Sequence, residues 1–183
     1  MTLNVQELGQ VFTPIRIVSD MLSLRKNEGK ILEPSCGNGA FYNNIENCIG
    51  IELDEKVAPK GVLIMDFFDY SIENKFSTII GNPPYITYHD LTEIERNYLQ
   101  ANFSVCKHGR FDYCYAFIEL GINLLSENGK LVQLIPNNIY KNVFAEQLRS
   151  LLKPHISAIR DYPNQKLFDK ALTSISVFLY DKS

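Results

Sequence analysis

Asn82-Pro83-Pro84-Tyr85, at the end of the apolar run Ser77 to Gly81, sets an amide, a stiffened backbone and an aromatic ring side by side. Proline fixes φ and lacks an N–H, so Pro83 and Pro84 hold the chain extended as it leaves the run and aim Asn82 into the crevice beyond. The Asn82 side chain and the Pro83 backbone carbonyl are hydrogen-bond acceptors, and Tyr85 offers a face for stacking. This set of groups suits a flat, amino-bearing group that must be held still. An Asn-Pro-Pro string also closes strands as an ordinary turn, so its meaning rests on the segments around it.

Upstream, Lys30 to Leu32 reads as a short buried strand, and Glu33-Pro34-Ser35-Cys36-Gly37-Asn38-Gly39 as the turn after it, opening a crossover helix over Gly39 to Glu46. Gly37 and Gly39 permit positive φ and close backbone approach to a ligand, beside the free N–H groups of a helix start. The next run, Cys48 to Asp54, ends in an acid about where nucleotide-binding units place a carboxylate for ribose hydroxyls, and the run Gly61 to Met65 leads into Asp66-Phe67-Phe68. The third glycine of the dinucleotide fingerprint is missing, which argues against NAD and for another adenosine-bearing ligand.

Strands are expected near residues 31–33, 48–53, 62–65, 77–81, 130–135, 157–161 and 174–180. Helices are expected over Pro14 to Arg25, with Ile15, Val18, Met21 and Leu22 on one face, over Asp112 to Leu125 and over Asn138 to Leu152. Such alternation implies an α/β fold, a mostly parallel seven-stranded sheet with helices on both faces, closed by an antiparallel hairpin across Tyr162 to Thr173. Ligands of such sheets bind beyond the carboxyl ends of the strands, where the glycine turn, Glu52, Asp66 and Asn82 all fall. Thr87 to Arg110 reads as a long loop beside Asn82, a lid or substrate clamp.

These segments, in this order, resemble the S-adenosylmethionine-dependent DNA adenine-N6 methyltransferases of restriction-modification systems, in the class whose N-terminal cofactor segment precedes the glycine loop. Gly9 to Pro14 resembles that segment, Leu32 to Phe41 the cofactor loop, Gly50 to Asp54 and Asp66 to Phe68 the next two motifs, Gly81 to Ile86 the catalytic motif, and Phe111 to Lys130 the helix and turn after it. The resemblance implies a Rossmann-like class I methyltransferase domain over residues 1–183 and S-adenosyl-L-methionine as cofactor, leaving S-adenosyl-L-homocysteine, with no metal. It implies that Thr13 contacts the methionine end, that the loop residues Glu33, Ser35, Gly37 and Gly39 bind the cofactor, and that Glu52 meets the ribose. Asp66 would meet the adenine amino group and Leu53 and Phe67 the adenine faces; Asn82 would also bind the cofactor, and Phe117 would be a wall near the methionine, with core packing as its alternative. Catalysis would fall to Asn82, Pro83 and Tyr85, and Phe168 resembles the aromatic that meets the other side of a flipped base; core packing before the last strand is the alternative for Phe168. Some members carry a lysine three residues after that aromatic, where Ala171 stands here, one place past Lys170.

The 183 residues and 45% hydrophobic content fit a single domain with a sizeable core. No leader pattern or long apolar run appears, so a cytoplasmic protein without a membrane span is expected. Cys36, Cys48, Cys106 and Cys114 lack Cys-x-x-Cys spacing, and His89, His108 and His155 are scattered, so reduced thiols are expected and no zinc site. A net charge of −3 weighs against a free-standing DNA binder. The local cations are Lys107 and Arg110 with His108, and Arg149, Lys153, Arg160, Lys166 and Lys170 toward the C-terminus. DNA is the expected partner, with target recognition supplied by a further domain or specificity subunit absent from these residues. Methyl transfer to an RNA or cytosine base, or to a release-factor glutamine, remains an alternative, as does a non-catalytic cofactor-binding subunit.

Overall fold

The computed structural model describes residues 13–25, 27–168 and 171–183, with backbone alone at 164–168 and 171–173. Gly9 to Phe12 and Lys170 lie outside the described residues, as does the side chain of Phe168.

The strands are β1 (Ile31–Glu33), β2 (Cys48–Glu52), β3 (Leu63–Ile64), β4 (Phe76–Gly81), β5 (Leu125–Pro136), β6 (Ile156–Phe168) and β7 (Ala171–Asp181), in the sheet order β3-β2-β1-β4-β5-β7-β6. All neighbours run parallel except β7, which is antiparallel to both β5 and β6. Leu32 pairs with Ile49 on one side and Ile79 on the other, so β1 is interior and its carboxyl end lies between those of β2 and β4. That register brings Glu33, Glu52 and Gly81 to one edge.

Helix α1 (Ile15–Leu24) covers one face of the sheet. Its buried side is Ile17, Val18, Met21 and Leu24, packed with Phe41, Ile45, Ile80, Val132 and Val177. Ile15, expected on the buried stripe, is 74% exposed. Six apolar residues wrap more than half of this helix, so periodicity alone does not choose its inner face. Tyr162 Oη donates to Asp20 Oδ2 at 2.8 Å and an Arg160 guanidinium N–H to the Asp20 carbonyl at 3.0 Å, fastening α1 to the hairpin.

The other face carries α2 (Glu93–Asn102), α3 (Tyr113–Asn123) and α4 (Glu146–Leu152). Three sequence expectations are corrected there and at the crossover. Gly39 to Glu46 forms only a single 3₁₀ turn, Tyr42–Asn44, because Asn-rich residues favour turns and Asn47 reverses the chain at φ 59°. The Asn138 to Leu152 helix is broken, since Asn142 Oδ1 takes the Phe144 N–H at 2.9 Å and caps a fresh start. Thr87 to Arg110 holds α2, opened by a capping box in which Thr92 and Glu95 satisfy each other's backbone N–H groups. The hairpin ladder also continues beyond Tyr162, pairing Gln165 with Thr173 and Phe168 with Ala171.

Candidate active site at the carboxyl edge of the sheet

The turn after β1 is wired by carboxylates. Gly37, at φ +51°, donates its N–H to Glu52 Oε2 at 2.7 Å, while Glu52 Oε1 accepts from Leu53 N at 2.9 Å and Asp54 N at 3.0 Å. Glu33 Oε2 accepts from Tyr42 N at 2.5 Å. A positive φ is strained for residues other than glycine, and a Cβ built on Gly37 would meet no atom within 4 Å, so the turn presents bare backbone to an open space. At Gly39, φ +82°, a Cβ would run into Pro59 and Asn43, so this glycine serves the fold of the turn.

Asn82 adjoins the turn. Its carbonyl accepts from Ser35 Oγ at 3.0 Å, its Nδ2 donates to Thr13 Oγ1 at 3.3 Å, and its Oδ1 faces Tyr85 Oη at 2.5 Å. Tyr85 Oη also lies 2.7 Å from the Leu134 carbonyl. Burial pushes this hydroxyl well above the ordinary phenol range, while the residue as a whole is half-buried and its ring packs against the core. Ile86 continues this lacing, its carbonyl accepting from Tyr113 N at 2.9 Å.

Asp66 is 8% exposed and caps the short turn Phe67–Asp69, its Oδ1 accepting from Phe68 N at 3.0 Å. Phe67 and Phe117 are both buried, their ring centroids 4.6 Å apart, so Phe117 belongs to the core and backs Phe67. Leu53 is half-buried beside Glu52. The structure thus brings Thr13, Glu33, Ser35, Gly37, Glu52, Leu53, Asp66, Asn82, Pro83 and Tyr85 to one edge. Burial pushes the Cys36 thiol up to about 12, which removes it as a nucleophile.

Lys107 and Arg110 are exposed on a loop packed on Phe144, whose ring would stand 2.5 Å from a Cβ on Gly109. Two of the C-terminal cations are structural: Arg160 grips α1, and Arg149 donates to the carbonyls of Ile139 and Asn142 at 2.9 and 2.5 Å. A groove of about 500 Å³, lined by Asn137, Asn138, Tyr140, Lys141, Asp161 and Ser174, opens where β5 ends beside β7.

Two residues were not anticipated. Asp112 caps α3 through Cys114 N at 3.2 Å and engages the Ile86 backbone; burial raises its carboxyl to about 6. Gln133, 1% exposed, pairs with Gly81 in the sheet, and its Oε1 has no hydrogen-bond partner among the described residues. A lone polar residue inside Leu131 to Ile135 was the available signal.

The profile of the Eco57I restriction-modification methylases matches residues 21–168. The chain belongs to that family. It is 32% identical over 188 residues to the type II methyltransferase M.HincII of Haemophilus influenzae, a match that covers 96% of this chain and 37% of the relative. The chain therefore spans little more than a third of that relative's length. Its fold is that of class I S-adenosylmethionine-dependent methyltransferases: one so described from Listeria monocytogenes superposes with a TM-score of 0.72 at 19% identity, over 98% of this chain and 64% of the other. The modification subunit of a type I restriction enzyme from Vibrio vulnificus gives 0.73 at 14% identity, over 96% and 45%. Among the described residues, no helix of this family member is long and apolar enough to cross a membrane, and no cluster of His, Cys, Asp or Glu is set to hold a metal.

Proposed function

We propose that this chain is the catalytic part of a DNA methyltransferase that moves a methyl group from S-adenosylmethionine to the exocyclic N6 amino group of an adenine turned out of the helix. The observation that carries this reading is the convergence of Asn82 and Tyr85 with the Gly37 turn at one sheet edge, linked through Ser35 and Thr13.

The residues fit the cofactor. Gly37 offers backbone with open space above it, Glu52 lies behind that backbone for ribose hydroxyls, and Gln133 contributes a buried acceptor still without a partner among the described residues. Asp66 would take the adenine amino group, with Leu53 and Phe67 at its faces and Thr13, Glu33 and Ser35 toward the methionine. When bound, the cofactor supplies an activated methyl on a sulfonium.

The chain's own residues supply alignment. An exocyclic amine is a poor nucleophile because its lone pair is delocalised into the ring. Acceptors at Asn82 Oδ1 and the Pro83 carbonyl draw its hydrogens out of plane and restore that lone pair. Positioning of this kind is worth at most about 7–11 kcal/mol of barrier. Turning the base out takes a few kcal/mol, which stacking on Tyr85, at roughly 1–3 kcal/mol, offsets in part. The Tyr85 hydroxyl, bonded to the Leu134 carbonyl, anchors the ring, so stacking on it needs little further ordering. Phe168 is proposed for the other side of the base.

Lys107, Arg110 and Lys141 are the exposed cations we assign to phosphates, and base reading falls to a target-recognition domain or subunit outside these residues. The setting is cytoplasmic. Labelled methyl transfer to DNA, RNA and a release-factor peptide, measured side by side, tests the reading; a preference for RNA or peptide would overturn it.

A further inference from the structure

We propose that Val143 and Phe144 form an apolar wedge that enters the base stack of duplex DNA beside the target adenine and helps to keep that base turned out. The inference rests on the DNA reading above and deepens it.

A single exposed apolar side chain is ordinary, but Val143 and Phe144 are neighbours on the turn Val143–Ala145 and are 71% and 39% exposed. The backbone beneath them is firmly held. Asn142 Oδ1 accepts from Phe144 N at 2.9 Å, and the Asn142 carbonyl accepts from Ala145 N at 3.1 Å and from the Arg149 guanidinium at 2.5 Å. Asn142 N donates to the Asn138 carbonyl at 2.8 Å, and Asn142 Nδ2 to Tyr115 Oη at 3.4 Å. With Ala145 fully buried behind them, the two side chains are presented on a fixed turn.

The surroundings select the partner. Contact of the Phe144 ring with Gly109 joins this turn to the loop that carries Lys107 and Arg110. In a chain of net charge −3, residues 103–111 and 136–145 hold Lys107, Arg110 and Lys141 and no acid, and all three cations are exposed. An apolar pair flanked by cations is complementary to a duplex, which carries phosphates outside and stacked bases within.

Placement points to the neighbourhood of the target base. The first turn of α3 carries both segments: Tyr113 N donates to the Ile86 carbonyl at 2.9 Å, one residue past Tyr85, and Tyr115 Oη accepts from Asn142. A base that leaves the duplex exposes the faces of its neighbours, and an apolar side chain inserted there replaces part of the lost stacking.

The test is methyl transfer to one adenine-containing oligonucleotide as a single strand, as a matched duplex and as a duplex with the target adenine mispaired, by wild type, Val143→Ala and Phe144→Ala. A wedge is needed where the base must be drawn from an intact stack, and less where it is unpaired or mispaired. The ratio of matched-duplex to single-strand turnover should therefore fall about tenfold in Phe144→Ala and about threefold in Val143→Ala, with mispairing restoring most of the loss. Fluorescence of 2-aminopurine at the target position, which brightens on unstacking, should rise less on the duplex with either variant than with wild type. An unchanged ratio in both variants overturns the inference, as does an equal loss on single strand and duplex, the mark of a purely structural role; Val143→Ala decides the matter if Phe144→Ala fails to fold. A wild type that methylates the single strand but neither methylates nor unstacks the duplex sinks this inference alone, whereas one that methylates no form of the oligonucleotide sinks the DNA reading with it.

Discussion

The two halves of the site are built by different means. The turn beyond β1 and β2 is held by backbone N–H groups on acidic side chains, Gly37, Leu53 and Asp54 on Glu52 and Tyr42 on Glu33, bonds that set main-chain shape. The segment beyond β4 is held by side-chain tips and neighbouring strands, with Tyr85 Oη between Asn82 and Leu134 and Ile86 against Tyr113. Under the proposed reading, the first arrangement shapes a fixed cradle for the cofactor, whereas the second presents an aromatic ring and an amide to a group that arrives from outside. Damage to the first half should therefore appear in cofactor affinity, and damage to the second in turnover.

The largest effect is expected at Asn82. Asn82→Ala removes the acceptor on the reacting amine and should lower turnover by about 10²- to 10³-fold or more, as for loss of a preorganised transition-state contact. Cofactor affinity should stay within a few-fold, checked by single-turnover kinetics beside calorimetry.

Glu52→Ala strikes the other half. Three backbone N–H groups lose a charged acceptor, each such bond being worth about 1.5–3 kcal/mol. Cofactor affinity should fall by tenfold or more together with thermal stability, because the same carboxylate shapes the turn and is proposed to meet the ribose. Unchanged affinity would remove Glu52 from the cofactor half.

Tyr85→Phe sharpens the contrast within the second half. The ring and its stacking remain while the bonds to Asn82 and Leu134 are lost, so turnover should drop about tenfold, the equivalent of one hydrogen bond, with KM for DNA little changed.

The smallest effect expected is on stability against pH. Glu33 and Asp112 have folded-state values raised by burial to about 8 and about 6, above their unfolded values. The stability each adds is complete below its unfolded value and is lost as pH rises through the folded one. The melting temperature should therefore fall as pH rises from about 4, more steeply up to pH 6 where both groups act, less steeply from there to pH 8, and level off above it; Asp112→Asn should lessen the slope below pH 6 and Glu33→Gln the slope all the way to pH 8.

The mainly parallel seven-stranded sheet and its antiparallel hairpin were legible because strand and helix patterns alternate along the chain and the last two runs are joined too closely for a crossover. The helices were less so. Thr92-x-x-Glu95 announces α2 in the sequence, yet the polar stretch around it hid the helix, whose buried face is only Glu95 and Leu99. Asn142 cuts the following helical pattern by a local hydrogen bond that periodicity does not register. Asp112 and Gln133 were missed because their part depends on contacts across the sheet and across the loop after Asn82, and Arg149 and Arg160 read only as C-terminal cations because only the fold shows what they grip.

The most direct test is nucleoside analysis of an adenine-containing single-stranded oligonucleotide incubated with S-adenosylmethionine and either wild type or Asn82→Ala. Single-stranded substrate removes the need to turn the base out of a duplex and reduces dependence on target recognition. The account predicts N6-methyladenine from wild type and none from Asn82→Ala, with both proteins binding cofactor. Methylated cytosine in its place, or N6-methyladenine at wild-type yield from Asn82→Ala, would contradict it.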